Sequence, residues 1–325
     1  MEFLSTMRTT RILFAILAII VCSPHSLRAA DLYLVNADSQ SVRRYTDQGD
    51  FVSNFVAPGA GGLVEPSGLA FGPDGNLYVA DNSLDQILRY SANGTFIDVF
   101  ASDPLLDGPT DLVFRGDDLF AGLWNNAGST GGIARIDANT GALETTFGTG
   151  NFRRTHAIEF GSDGSLYASS FDTRSIRVFN PETGAFIREF GSASTVDRPM
   201  GIIFDENENL IVNNWNGDVR LIDPTDGSVI STLASGLSNT QWTTFAPDGT
   251  LILDNYGAQA LGRFETDGTF IELFATLGFS PDKFIFYQAI PEPQTAIGLI
   301  SMVTVAMVCR GRRTESVEEQ NNILR

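Results

Sequence analysis

Six copies of one short pattern predict an all-β chain closed into a six-bladed β-propeller. Three observations carry that expectation. The pattern recurs at intervals of 43, 46, 44, 41 and 41 residues between Phe71, Phe114, Phe160, Phe204, Phe245 and Phe286, and a repeat of about 40–50 residues with four strand-like segments has the length of one propeller blade. Each copy alternates short apolar runs with turn residues, as hairpin-linked strands require. The first copy lacks its first strand and the last stops after one strand. Joined, the two fragments complete a blade and leave the ring of sheets without an open edge.

The strands can be followed through one copy. Residues 68–71 read as an inner strand. Gly72-Pro73-Asp74-Gly75 turns it, since Asp-Gly tolerates the positive φ of a tight hairpin. Residues 77–79 run back, residues 87–90 form the third strand, Ala92-Asn93-Gly94 turns again, and residues 96–100 form the outer strand. The same register recurs. Second strands begin at Leu32, Leu77, Leu119, Leu166, Leu210 and Leu251, and outer strands end at Phe55, Phe100, Phe147, Phe190, Leu233 and Phe274. Residues 31–55 supply the second, third and outer strands of the split blade, and residues 281–287 supply its inner strand. The third strands carry Arg44, Arg89, Arg135, Arg177, Arg220 and Arg263, which are expected to pair with acidic neighbours. The aspartates of the Asp-Gly turns are read as turn residues, not ligands.

Composition bounds the function. The chain has 325 residues, 43% of them hydrophobic, with a mean hydropathy of +0.02, which fits a folded domain over residues 31–290. Acidic residues outnumber basic ones by 39 to 21, and by 35 to 14 between Asp31 and Gln294, where Lys283 is the one lysine. Such a surface repels phosphates and anionic headgroups, so no nucleic-acid partner is expected. No cofactor is expected either, save a divalent cation such as Ca2+. The two cysteines, Cys22 and Cys309, lie outside the repeats. The repeat domain therefore has no disulfide, thiol nucleophile or cysteine metal site.

The two ends read as addresses. Residues 1–30 have the layout of a signal peptide: Arg8 and Arg11, an apolar run over residues 12–22, then Ala29 and Ala30. The run is short for a membrane span, and export through the Sec translocon is the expectation. At the other end, Pro291, Glu292 and Pro293 precede an apolar stretch over residues 296–309 and a basic cluster of Arg310, Arg312 and Arg313. This resembles the PEP-CTERM sorting signal of Gram-negative bacteria over residues 291–313. The resemblance implies a short transmembrane helix, recognition by an exosortase, cleavage near the PEP motif, and delivery from the inner membrane to the cell surface or extracellular matrix. An acidic tail, residues 314–325, continues beyond the point where such signals usually end.

A binding site is expected at the axial mouth, where the loops entering the inner strands converge. Two residues before the first apolar position of each inner strand stand Ser67, Thr110, His156, Met200, Gln241 and Asp282. Asp111 and Trp242 follow two of them. Asn36, Asp81, Asn214 and Asn255 close four second strands, with Trp124, Phe171, Trp215 and Tyr256 at or beside such ends. Aromatics and amides together suit sugars and other polar organic ligands. The ligand-binding candidates are thus Ser67, Thr110, Asp111, His156, Gln241, Trp242, Asp282, Asn214 and Asn255. His156 and Asp282 are the candidates for acid–base work, and Glu65 and Asp282 for metal. One histidine in the repeat domain cannot build a three-histidine zinc site.

The repeats resemble NHL-type propellers and the gluconolactonase (senescence-marker-protein) family over residues 31–290. Glu65-Pro66-Ser67-Gly68-Leu69-Ala70-Phe71 is similar to a lactonase segment whose Asn binds a divalent metal, and Ser67 stands at that Asn. Pro199-Met200-Gly201-Ile202 is similar to a segment whose Asp is metal ligand and base, and Met200 stands at that Asp. A thioether is a poor ligand for hard cations. A rebuilt oxygen site would draw on Asp282, Asp111, Glu65 and His156. Virginiamycin-B-lyase-like propellers also use mouth histidines, but more than one, and have a further blade. Two functions follow. The first is a non-enzymatic, exported, surface-delivered propeller that binds an exopolysaccharide or envelope protein. The second is a metal-dependent, lactonase-like hydrolase, or a lyase, with its site at the axial mouth.

Overall fold

The computed structural model describes residues 30–124, 132–148, 152 and 154–288. The expected leader through residue 29, the PEP motif, the apolar stretch, the basic cluster and the acidic tail lie outside the described residues. So do residues 289 and 290. Among the described residues no helix is long and apolar enough to cross a membrane.

Six antiparallel four-stranded sheets form the molecule. The first blade runs from its inner strand β24 (Phe284–Tyr287) through β1 (Asp31–Asn36) and β2 (Ser41–Tyr45) to β3 (Phe51–Val56). The second holds β4 (Pro66–Phe71), β5 (Leu77–Asp81), β6 (Gln86–Tyr90) and β7 (Phe96–Ser102). The third holds β8 (Pro109–Arg115), β9 (Asp118–Leu123), β10 (Ile133–Asp137) and β11 (Leu143–Phe147). The fourth holds β12 (Thr155–Phe160), β13 (Leu166–Ser170), β14 (Ser175–Phe179) and β15 (Phe186–Phe190). The fifth holds β16 (Pro199–Phe204), β17 (Leu210–Asn214), β18 (Val219–Ile222) and β19 (Val229–Ala234). The sixth holds β20 (Thr243–Phe245), β21 (Leu251–Asn255), β22 (Ala260–Phe264) and β23 (Phe270–Thr276). Inner strands touch in sequence around the ring, and β24 contacts both β20 and β4. The expected split blade is what closes it: Leu32 pairs with Phe286 and Asp31 with Tyr287.

Burial is deepest at the second strands and shallowest at the outer ones. Every residue of β5, β13 and β17 is buried, because each second strand is covered by a neighbouring blade on both faces. The outer strands β7, β15 and β19 begin with exposed residues. The repeated phenylalanines are steps between blades. Tyr33 meets Phe71 edge-on at 4.9 Å between ring centroids, Tyr78 meets Phe114 at 4.9 Å, Phe120 meets Phe160 at 5.3 Å and Tyr167 meets Phe204 at 5.0 Å. Edge-to-face packing is the preferred geometry at such distances. An aromatic on each of these second strands thus docks on the anchor of the following blade, and this explains the strict recurrence of the phenylalanine.

The third-strand arginines pair as expected. Arg44 bridges Asp31, Arg89 bridges Asp98, Arg135 bridges Asp118, Arg177 bridges Glu189, Arg220 bridges Asp218 and Arg263 bridges Asp248. The hairpin aspartates accept from backbone two residues on: Asn76 N–H donates to Asp74, Ser165 N–H to Asp163 and Thr250 N–H to Asp248. Gly94 in one such hairpin has φ +82°, and a Cβ there would lie 1.8 Å from the carbonyl oxygen of Phe55 on the neighbouring blade. Two needs, a left-handed backbone and close approach, therefore meet at that glycine.

One irregularity matters for the site. The pairing of β4, β8, β12 and β16 with their second strands slips at the mouth end, between Pro66 and Gly68, Pro109 and Leu112, Thr155 and Ile158, and Pro199 and Ile202. A bulge re-aims side chains, and here the slip recurs where the inner strands enter the mouth.

Candidate functional site

The inner strands enter at one end of the ring, and there the structure gathers the six mouth positions read from the register. A cavity of about 280 Å³ is lined by Ser67, Thr110, His156, Met200, Gln241 and Asp282, together with Ala37, Glu65, Pro66, Asn82, Trp124 and Trp215. Two of the six are tied down by their own hydroxyls. Ser67 Oγ donates to the carbonyl of Pro109 at 2.7 Å, and Thr110 Oγ1 donates to the carbonyl of Thr155 at 2.8 Å. These bonds run from blade to blade and fix the inner strands around the opening.

Aromatic side chains wall half of the mouth. Trp124 and Phe171 lie 5.8 Å apart between centroids, Phe171 and Trp215 6.1 Å, and Trp215 and Tyr256 5.9 Å. His156 lies 6.0 Å from Trp124 and 5.4 Å from Trp242. Arg154 covers Trp124 and Phe171 from outside the lining, and Arg198 covers Phe171. Acids wall the other half, where Glu65 and Asp282 line the cavity.

The electrostatics follow from this division. Burial first, then the charges of Asp254, Glu65 and Asp38, push the Asp282 carboxyl up to about 8. Burial pushes Asp254 up to about 7 against hydrogen bonds from Trp242 N–H, Thr240 and Gln241 N–H that pull it down. His156 is held down to about 3 by burial and then by the Lys283 charge, so its imidazole is neutral at physiological pH.

Four of the residues expected to bind ligand do not line the cavity. Asp111 is wholly buried and ion-paired with Lys283, and its second oxygen accepts from Ile158 N–H at 2.9 Å. Its charge is thereby committed, which also removes it from the oxygen site drawn with Asp282, Glu65 and His156. Trp242 is buried behind His156, with the Lys283 ammonium 5.2 Å over its ring. Asn214 is wholly buried, and neither side-chain polar atom has a partner. Asn255 accepts from Ala258 N–H, capping the helical turn at Tyr256–Ala258, and from Ser238 N–H. Among the described residues no three His, Cys, Asp or Glu side chains gather closely enough to hold a metal ion.

Below the mouth lies a charge cluster that sequence reasoning missed. Lys283 follows Asp282 on the first blade and reaches Asp111 on the third. The second blade carries Gly68 at the corresponding position, where a Cβ would lie 2.0 Å from the Thr110 carbonyl oxygen. Glu159 joins them, its carboxyl raised to about 7 by burial against the pull of Lys283. The signal was present in the chain: a lone lysine and an aspartate stand at equivalent places in two copies of a repeat whose other copies put the uncharged Gly68, Ala157, Gly201 and Trp242 there.

No protein-family model matches the chain, and no curated protein matches it. Solved structures do. A streptogramin B lyase structure superposes with a TM-score of 0.60 at 17% identity, covering 79% of this chain and 90% of that one. A catalytically inactive virginiamycin B lyase from Staphylococcus aureus with quinupristin gives 0.57 at 16%, covering 77% and 85%. A chain of a nidogen/laminin complex gives 0.65 at 14%, covering 80% and 99%. At such identities the likeness establishes the propeller fold, which these proteins put to different uses.

Proposed function

We propose that this chain is an exported, surface-delivered propeller that binds an extracellular-matrix or envelope partner at its axial mouth. The observation that carries the reading is the cavity itself. It combines Trp124 and Trp215 with polar and acidic groups, and the hydroxyls of Ser67 and Thr110 pin three of its inner strands to one another. The terminal segments support the address. A leader at residues 1–30 suits the Sec translocon, and residues 291–313 resemble a signal read by an exosortase, with an exopolysaccharide or envelope protein as the partner outside. The test is a glycan and envelope-protein array probed with the purified full chain and with Trp215→Ala. Binding that is specific in the parent and lost in a variant of unchanged melting temperature supports the mouth. Equal binding by both proteins overturns it.

A second reading, a lyase or hydrolase at the same mouth, draws on Asp282, whose carboxyl keeps its proton to about 8 and so has the protonation state of a general acid. Its weakness is the base. His156, held near 3, is a poor proton acceptor. The metal-dependent, lactonase-like form would need ligands in place of Ser67 and Met200. Turnover of a lactone or ester that is abolished by Asp282→Ala would establish this reading.

A further inference from the structure

Six equivalent positions follow the last residue of the second strands: Ala37, Asn82, Trp124, Phe171, Trp215 and Tyr256. The third to sixth blades carry aromatics there, and their rings touch one after another. The first and second blades carry the small Ala37 and the amide Asn82. Those same two blades supply the acids: Asp38 and Asp282 from the first, Glu65 from the second. Rings and carboxylates therefore face one cavity from opposite sides, with Trp124, Trp215, Glu65 and Asp282 all on its lining.

These acids differ from the others on the propeller. At the third strands an arginine answers each carboxylate, and in the hairpins backbone N–H groups do. Among the described residues neither Glu65 nor Asp282 is ion-paired, and Lys283, the chain neighbour of Asp282, is taken by Asp111. Two polar atoms beside them are also unanswered. His156, on the cavity wall, has a buried Nδ1 without a partner, and the wholly buried Asp254, whose charge acts on Asp282, has a free Oδ2. An anionic ligand would be repelled here. A neutral one would leave the Glu65 carboxylate unpaired, a bare metal ion would leave the rings unused, and a cation would draw off the proton that Asp282 otherwise keeps to about 8. Aromatic faces and carboxylates share an attraction for one kind of ligand, an organic cation.

We infer that the mouth binds an amine carried on a compact ring, its ammonium at Glu65 and Asp282 and its ring against Trp124 and Trp215. An amino sugar and an aryl amine share this chemistry. The inference rests on reading the mouth as the binding site, and it names the ligand class. The cavity of about 280 Å³ falls just below the roughly 300–1,000 Å³ of drug-sized sites, so it suits a single ring.

The experiment is calorimetric titration of the purified full chain with a glucosamine tetramer, its fully N-acetylated counterpart, phenethylamine and calcium chloride. The expected result is saturable binding of at least one amine, with the acetylated tetramer bound about tenfold or more weakly, the effect of losing one charge-assisted contact. Glu65→Gln changes an exposed side chain and should give the same loss with no change in melting temperature. Binding of the tetramer alone identifies the amino sugar, and binding of phenethylamine alone identifies the aryl amine. Equal binding of free and acetylated tetramers, or saturation by calcium alone, overturns the inference and keeps a mouth site. No binding of either amine, in a chain that still loses its array ligand on Trp215→Ala, overturns it as well. If Trp215→Ala binds the array ligand as the parent does, the mouth reading itself has failed.

Discussion

The same side chain behaves in opposite ways at the two ends of the propeller. At the hairpin end, Asp137, Asp226 and Asp267 are held below the usual carboxylate range, because backbone N–H groups two or three residues on donate to them. At the mouth end, burial pushes Asp282 up to about 8 and Asp254 up to about 7, with neighbouring like charges adding to the push on Asp282. Hairpin aspartates sit in local loops that are complete within four residues. Mouth aspartates sit where six blades converge, and Asp282 on the first blade feels the charges of Asp254 on the sixth and Glu65 on the second. The comparison teaches that an acidic repeat protein can keep one end chemically quiet and leave the other unsatisfied, with nothing but position separating the two.

The harshest way to break the contrast is to remove the strand that brings Asp282 to the mouth. Deleting residues 280–290 takes away β24, whose pairing with β1 closes the ring, and the domain should unfold cooperatively. A truncated chain with an unchanged melting midpoint would refute this. Next in size is Lys283→Met. It leaves the Asp111 carboxylate buried without its partner, and breaking a buried pair costs about 3–5 kcal/mol. The double variant Lys283→Met with Asp111→Leu should recover most of that loss in denaturant unfolding.

At the hairpin end, Gly94→Ala forces a side chain into a left-handed turn and against the Phe55 carbonyl. A loss of about 1–3 kcal/mol is expected, with the mouth cavity and its ligand affinity unaffected. A last test sharpens the contrast through pH. A carboxyl raised from 3.8 to about 8 on folding binds more protons folded than unfolded. Its stabilising contribution is complete below 3.8 and is lost as pH rises to about 8. Asp282→Asn should therefore flatten the decline of melting temperature between those limits and raise stability most on the alkaline side. Asp267→Asn, at the hairpin end, should not flatten it.

Sequence reasoning reached the blades, their register and the split closure because each rests on local chemistry. Alternating apolar runs and a phenylalanine every forty-odd residues mark every copy, and Asp-Gly turns mark several. It reached the six cavity-lining positions too, since they keep a constant offset from the inner strands. It failed at Asp111, Trp242, Asn214 and Asn255. Adjacency along the chain puts these beside the mouth, yet the slipped pairing of β8 sends Asp111 elsewhere, Trp242 and Asn214 are buried, and Asn255 caps a helical turn. The Lys283–Asp111 pair went unread for a different reason. It spans three blades and depends on the absence of a side chain at Gly68, which no pattern within one repeat reveals.

The closing ladder between β24 and β1 also fixes where the chain enters and leaves the ring. Asp31 and Tyr287 are partners in that ladder, so chain enters and leaves the ring at one point, on the hairpin end. Anything fastened beyond residue 288 holds the propeller by its base and turns the mouth outward. A pull on that tether runs along β24, loading its hydrogen bonds to β1 together in shear instead of opening them one at a time. The bonds that complete the sheet would thus double as a mechanical latch under a load applied there.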